Sequence, residues 1–292
     1  MTRLTEGHLV RHYQGMRDAR DAALLDIAQD YALYYLHQLG LFEGGLVFKG
    51  GTALRKFRAG SSGRFSTDLD FVAADDDLAL AVFGALESVT VGDFSFALRN
   101  YGPDGRRAEL HIETPFGIPA LGAKVEVARH ALTLKPELLQ PQGLPIHSRY
   151  DFVIPSLPIV RKEEAIAEKM ARYRRVPLVR DLYDLAWFAD SGVLDEPLIR
   201  RLWVLKTYRD VVVDDRGDKP IDPREIIESW TARHFREEDI GYLTKAVRID
   251  EWLRKLRNRF SFVADFTHEE KRWADLNPRN LSEVLAALEP EG

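Results

Sequence analysis

Apolar and polar positions alternate with two different periods along this chain. Within residues 18–39, Ala22, Leu25, Ile27, Ala32, Tyr35 and Leu36 recur at three- and four-residue spacings. That period predicts a helix, and Gly40 supplies a stop for it. A short strand from Leu46 to Phe48 then runs into Gly50-Gly51, with one or two helical turns over 52–58. Residues 64–73 hold a second strand. Its period of two sets Leu69, Phe71 and Ala73 on one face and Asp68, Asp70 and Val72 on the other. A helix follows over 76–88, then strands near 94–101 and 107–114. The turn Gly102-Pro103-Asp104-Gly105 joins these two as a hairpin, and a further strand covers about 122–129. After Pro158 the period becomes helical: a charged helix over 162–175, a break at Pro177, a helix over 180–190, and helical runs broken by Pro, Gly and Asp. Trp203, Trp230, Trp252 and Trp273 are expected to anchor this rear half. The pattern predicts an α/β domain over 1–155 and an all-helical domain over 156–292.

Composition narrows the chemistry. The 292 residues include no cysteine, which removes thiolate metal sites, disulfides and cysteine nucleophiles. No run approaches the roughly 18–20 apolar residues of a membrane span, and the N-terminus has no apolar signal region. The expected location is the cytoplasm, with no membrane partner. The net charge of -5 argues against broad coating of nucleic acid. Local basic clusters remain: Arg55-Lys56-Arg58 and Arg172-Arg174-Arg175 could steer RNA phosphates, and Arg254-Lys255-Arg257-Arg259 reads as an exposed helix side. The histidines show no ligand spacing.

The informative segment is FKGGTALRKFRAGSSGRFSTDLDFV, residues 48–72. Glycines between a strand and a helix let backbone approach a ligand, and free helix N–H groups suit phosphate. Asp68 and Asp70, two apart on a strand, put two carboxylates on one face, which is costly unless a cation lies between them. Magnesium takes such oxygens together with substrate phosphates. Glu126, in AKVEVA, shares a strand face with Lys124 and could complete a triad. Lys49 and Arg64 flank the two halves of the segment and could hold phosphate. Ser66 could contact a nucleotide, be modified, or close a local turn. Lys169 sits mid-helix, where lysine is ordinarily solvated and adds little to folding. Asp181 stands near a helix start, where capping is the default role. Asp184, one turn on, is not explained by capping.

A strand, Gly50-Gly51-Thr52, then Arg64, Ser66, Asp68 and Asp70, then an acid on a later strand resembles the DNA polymerase β-type nucleotidyltransferase superfamily. A second block, AIAEKMARYRRVPLVRDLYDL over 165–185, resembles the AbiEii-type toxins of type IV toxin–antitoxin systems, including the mycobacterial nucleotidyltransferase toxins. The matching residues are Glu168, Lys169, Ala171, Arg174 or Arg175, Arg180, Asp181 and Asp184. The resemblance covers about 46–190, and the third acid departs from it in being Glu.

The resemblance implies a nucleotidyltransferase-type mixed sheet with flanking helices, followed by the helical domain, with the active site in a cleft between domains. It implies that Asp68, Asp70 and Glu126 hold Mg2+ or Mn2+. Gly50, Gly51, Thr52, Lys49, Arg64, Ser66 and Lys169 would bind the NTP, and Lys169 with Asp184 would serve catalysis beside the Asp pair. The implied reaction transfers a nucleoside monophosphate to the 3′ end of tRNA and blocks translation, with a cognate antitoxin as partner whether or not the two form a stable complex. Two alternatives stay open: a small-molecule or protein hydroxyl as acceptor, which the charge mildly favours, and a non-catalytic scaffold that binds a partner.

Overall fold

The computed structural model describes residues 4–16, 18–117 and 120–290. These fall into two compact units. The first comprises 1–131, 136–160 and 242–245. It opens with helices α1 (Glu6–His12) and α2 (Arg20–Gln38), then strand β1 (Val47–Lys49) and the short helix α3 (Gly50–Leu54). A wide turn of π-helix, Arg55–Ala59, continues α3. There follow β2 (Leu69–Val72), α4 (Asp76–Leu86), β3 (Ser88–Val91), β4 (Phe94–Arg99), β5 (Arg107–Glu113), β6 (Leu121–Ala128), β7 (Glu137–Leu139) and β8 (Leu157–Ile159).

Local chemistry accounts for most of these limits. Helix α2 stops where Gly40 takes a left-handed φ of 73°, and the Leu41 N–H closes back on the Leu36 carbonyl at 3.2 Å. The Asp75 carboxylate caps α4 by accepting from the Leu78 N–H at 2.8 Å. That helix buries Ala79, Val82, Phe83 and Leu86, one helical stripe.

The strands form one mixed sheet in the order β3-β4-β5-β6-β2-β1-β8-β7. The β2–β6 and β1–β8 pairs are parallel and the others antiparallel. In β6, Leu121, Ala123, Val125 and Val127 are buried while Gly122, Lys124 and Glu126 are exposed. Phe94, Phe96, Leu110, Ile112, Leu69, Phe71 and Phe48 continue the buried face across the neighbouring strands. Each such side chain contributes roughly 1.5–3 kcal/mol of burial. Strands β3, β7 and β8 go beyond the sequence reading, because three or four residues are too few for a period of two to register.

The second unit comprises 132–135, 161–241 and 246–292. Its elements are helical: α5 (Lys162–Arg175), α6 (Val179–Ala189), α7 (Glu196–Val212), α8 (Arg224–Ile227), α9 (Ile249–Arg259), α10 (His268–Ala274) and α11 (Leu281–Ala287). Trp203, Trp252 and Trp273 are buried in its core. Trp230, expected there too, is only half-buried and donates its indole N–H to the Glu225 carbonyl at 2.8 Å. Residues 132–135 join this unit through Glu164, whose fully buried carboxylate accepts the Thr133 and Leu134 N–H groups at 2.8 Å each and pairs with Lys206 at 2.6 Å. Among the described residues no helix is long and apolar enough to cross a membrane.

Candidate active site

The sheet register brings three of the sequence-selected residues into one row. Asp70 in β2 is the cross-strand partner of Lys49 in β1 on one side and of Glu126 in β6 on the other. Arg107 of β5 extends the row beyond Glu126. Cross-strand partners share a face, so charges of alternating pairs, cation, acid, acid, cation, stand side by side. Asp68 lies just before β2, half-exposed, and accepts a hydrogen bond from the Thr67 hydroxyl at 3.0 Å.

The two glycines have a geometric reason that the sequence reading did not supply. Gly50 has a φ of +81°, and a Cβ built there would fall 2.0 Å from Asp70 Oδ2. One built on Gly51 would fall 2.5 Å from Arg64 Nη2 and 2.9 Å from Ser66 Oγ. The space a side chain would need is taken by the Asp70 carboxylate, the Arg64 guanidinium and the Ser66 hydroxyl. The glycine pair and three residues 13–20 positions later in the segment therefore meet at one place.

The loop between them is pinned carbonyl by carbonyl. Arg55 donates to the Gly63 carbonyl at 2.6 Å. The Gln29 amide donates to the Ser66 and Thr67 carbonyls, each at 3.0 Å. Thr52 is fully buried and its hydroxyl donates to the Asp68 carbonyl at 2.5 Å. Thr52 was selected as a nucleotide ligand; in this arrangement its hydroxyl holds the Asp68 backbone.

Beneath the loop lies a buried ionic cluster. Arg55 forms a two-point hydrogen bond to Asp26, at 3.0 Å to each oxygen. Lys56 reaches Asp26 at 3.1 Å and Asp30 at 2.6 Å. Tyr150 donates to Asp30 at 2.7 Å, and His12 lies 2.8 Å from Asp26. Burial pushes the Asp26 carboxyl up, but Arg55, Lys56 and His12 outweigh it and hold the group well below the ordinary aspartate range. For the Tyr150 hydroxyl, burial and then the Asp30 charge both act upward. Asp26, Gln29 and Asp30 sit at i, i+3 and i+4 on α2, a spacing that reads as a solvated polar face. The signal for their burial was the basic pair Arg55-Lys56, which needs counter-ions if it packs inside.

This overturns one reading of the basic clusters. Arg55 and Lys56 are 3% and 4% exposed, and Arg58 pairs with Glu137, so that cluster is spent on internal ion pairs. In the second cluster only Arg174 is buried, against Glu225; Arg175 pairs with Asp210 and Arg172 with Asp181 from partly exposed positions.

In the helical unit, Lys169 on α5 and Asp184 on α6 come together, with Nζ 2.6 Å from Oδ2. Asp184 is buried and the lysine side chain only 12% exposed, so Lys169 is not the solvated residue its mid-helix position suggested. Asp181 does not cap its helix; the N-cap is Leu178, without a side-chain hydrogen bond. Its buried carboxylate instead faces Arg172 Nε at 3.2 Å and Lys169 Nζ at 4.0 Å.

Among the described residues no three acids or histidines converge closely enough to hold a metal ion. The donor set itself fits a hard divalent cation in kind. It is made of carboxylate oxygens only, two of them on matched positions of neighbouring strands and the third two residues along the chain.

The stretch that carries these residues lies within the span shared with known proteins. A family model described as nucleotidyl transferase AbiEii toxin, type IV TA system, matches residues 32–277. Among solved structures, MenT4, a nucleotidyltransferase toxin from Mycobacterium tuberculosis, is 47% identical over 98% of both chains and superimposes with a TM-score of 0.93. JHP933 from Helicobacter pylori matches at 16% identity with a TM-score of 0.42, over 98% of this chain and 100% of that one. No curated protein matches the chain.

Proposed function

The chain belongs to the AbiEii family of nucleotidyltransferase toxins of type IV toxin–antitoxin systems, and from that membership we propose that it transfers a nucleoside monophosphate from an NTP to the 3′ end of tRNA. The observation that carries the assignment of the site is the crowding of Asp70, Arg64 and Ser66 against Gly50 and Gly51. In-line transfer needs the triphosphate held and its developing charge balanced. Arg64, Ser66, Lys49 and the Gly50-Gly51 backbone supply cations and hydrogen-bond donors for phosphate oxygens. Thr52 and Gln29 keep the Asp68 segment in register with them. Asp68, Asp70 and Glu126 would hold Mg2+ or Mn2+, which, when bound, would offset charge on the attacking and leaving oxygens.

The acceptor 3′-hydroxyl oxygen forms a bond to the α-phosphorus, the bond from that phosphorus to the bridging oxygen breaks, pyrophosphate leaves, and the hydroxyl proton passes to solvent. Lys169, aimed by its hydrogen bond to Asp184, is the further cation we assign to the phosphates. A tRNA so extended cannot be aminoacylated, which accounts for a toxin acting in the cytoplasm under the control of an antitoxin.

The test is incubation of the purified protein with total RNA and each labelled NTP in turn, with a chelator arm and an Asp70→Asn arm. Label is expected in tRNA, and neither arm should support transfer. Label confined to protein or small molecules would replace tRNA with another hydroxyl acceptor. Full activity in chelator or in Asp70→Asn would remove the carboxylates from the metal site.

A further inference from the structure

The first unit contains a cavity of about 520 Å³ that shares no lining residue with the glycines, Arg64, Ser66 or the acidic row. His8 and Arg11 of α1 and Arg149 are among its lining residues. Ser61, from the turn that leads into Arg64, lines it too. His12 and Arg55 also line it, and both have Asp26 as counter-ion. No carboxylate is among the lining residues.

Most arginines described above have an acidic partner. Among the described residues Arg11 and Arg149 have no side-chain hydrogen bond or ion pair, and both are exposed. They are close enough to His8 to act on it: burial first, then Arg149 and Arg11, push its pKa down. In a chain of net charge -5, a concave site that gathers three basic groups without a carboxylate is suited to an anion with several negative charges. Its size exceeds what a single phosphate needs.

We propose that this cavity is a phosphate-binding subsite that grips the backbone of the RNA acceptor, with Arg11 and Arg149 as its principal contacts and His8 and Ser61 beside them. The inference rests on the acceptor reading above and adds the surface by which that acceptor is held. Its position supports the link. Ser61 lies three residues before Arg64, and Arg55, on the cavity wall, holds the Gly63 carbonyl that immediately precedes Arg64. A strand seated on this wall is thus seated on the segment that carries Arg64, Ser66, Asp68 and Asp70. Arg55, Lys56 and Arg174, conspicuous in the sequence, are buried in ion pairs, whereas Arg11 and Arg149 stay exposed at this cavity and can meet the polyanion.

The test uses fluorescently labelled tRNA and the full-length chain without NTP, with Kd measured by anisotropy across a salt series. Both arginines are exposed, so Arg11→Ala/Arg149→Ala is expected to keep the wild-type circular dichroism spectrum. Losing two phosphate contacts should flatten the slope of log K against log salt by about 1.5 and raise Kd roughly tenfold at moderate salt. Arg11→Glu/Arg149→Glu should weaken binding further, and the KM for NTP should stay unchanged in both. Wild-type tRNA binding with Kd and slope unmoved by either double substitution would overturn the inference alone. A raised KM for NTP with tRNA affinity intact would reassign the cavity to nucleotide phosphates and overturn it as well. Wild-type protein that binds no tRNA would sink the acceptor reading and take this inference with it.

Discussion

Replacing Gly50 with alanine separates the chemistry of the glycine turn from its contribution to folding. Two costs arise. The first is backbone: Gly50 has φ +81°, and a left-handed conformation costs an L-residue roughly 1–2 kcal/mol. The second is contact. The new methyl would stand 2.0 Å from Asp70 Oδ2, so the carboxylate must retreat by more than an ångström to reach ordinary van der Waals distance. A displacement of about 1 Å in a reacting constellation costs on the order of 100-fold in rate. The backbone term alone would lower Tm by roughly 2–8 °C for a domain of this size.

Gly40→Ala is the control. Gly40 has φ +73° and no atom within 4 Å of a built Cβ, so it carries the backbone cost without the clash. The expectation is that Gly50→Ala loses at least as much thermal stability as Gly40→Ala, while only Gly50→Ala loses nucleotide transfer, by about two orders of magnitude. Tm by calorimetry and initial rates with labelled NTP measure the two effects. Transfer by Gly50→Ala within about threefold of Gly40→Ala would show that Asp70 need not stay where the turn holds it, and the assignment of that carboxylate would fail.

Gln29→Leu removes the donor to the Ser66 and Thr67 carbonyls. It should cost about 1–3 kcal/mol in unfolding free energy and reduce kcat more than KM for NTP; an unchanged kcat would leave Gln29 a purely structural residue. Lys169→Ala removes the partner of the buried Asp184 and should destabilise the chain by about 3 kcal/mol as well as impair transfer. Asp184→Asn in the same chain should recover part of the stability but none of the activity, and near-wild-type transfer by Lys169→Ala would remove it from the mechanism. Asp26 has its pKa lowered in the folded state, so its contribution to stability is complete above the ordinary aspartate pKa of about 4 and is lost as pH falls below that toward the lowered value. The stability gap between wild type and Asp26→Asn, from urea midpoints at pH 7, 5 and 3.5, should therefore be constant between the first two and narrower at the last; a gap that widens on acidification would contradict the direction.

Much of this protein was legible from residue order, because the features concerned are local. The helices over 162–175 and 180–190, the hairpin at 102–105 and the stop at Gly40 follow from periodicity and turn chemistry within a few residues. Asp68, Asp70 and the glycine pair stood out through short spacings, and Lys169 and Asp184 through a resemblance carried by contiguous blocks. What depended on residues distant in the chain was not decided by residue order, although Glu126 already stood as a candidate. Sheet register alone decides that Glu126 lies beside Asp70 rather than one position away, since a shift of one residue turns a side chain to the opposite face. The burial of Asp26 and Asp30 depends on cations about 26–30 positions later, and without those partners the same polar face would stay in water. Arg55, Lys56 and Arg174 look in sequence like charges offered to a ligand. Only packing showed them paired inside, because the sign of a charge is written in the residue, whereas its partner is chosen by which surfaces the folded chain brings within about 3 Å.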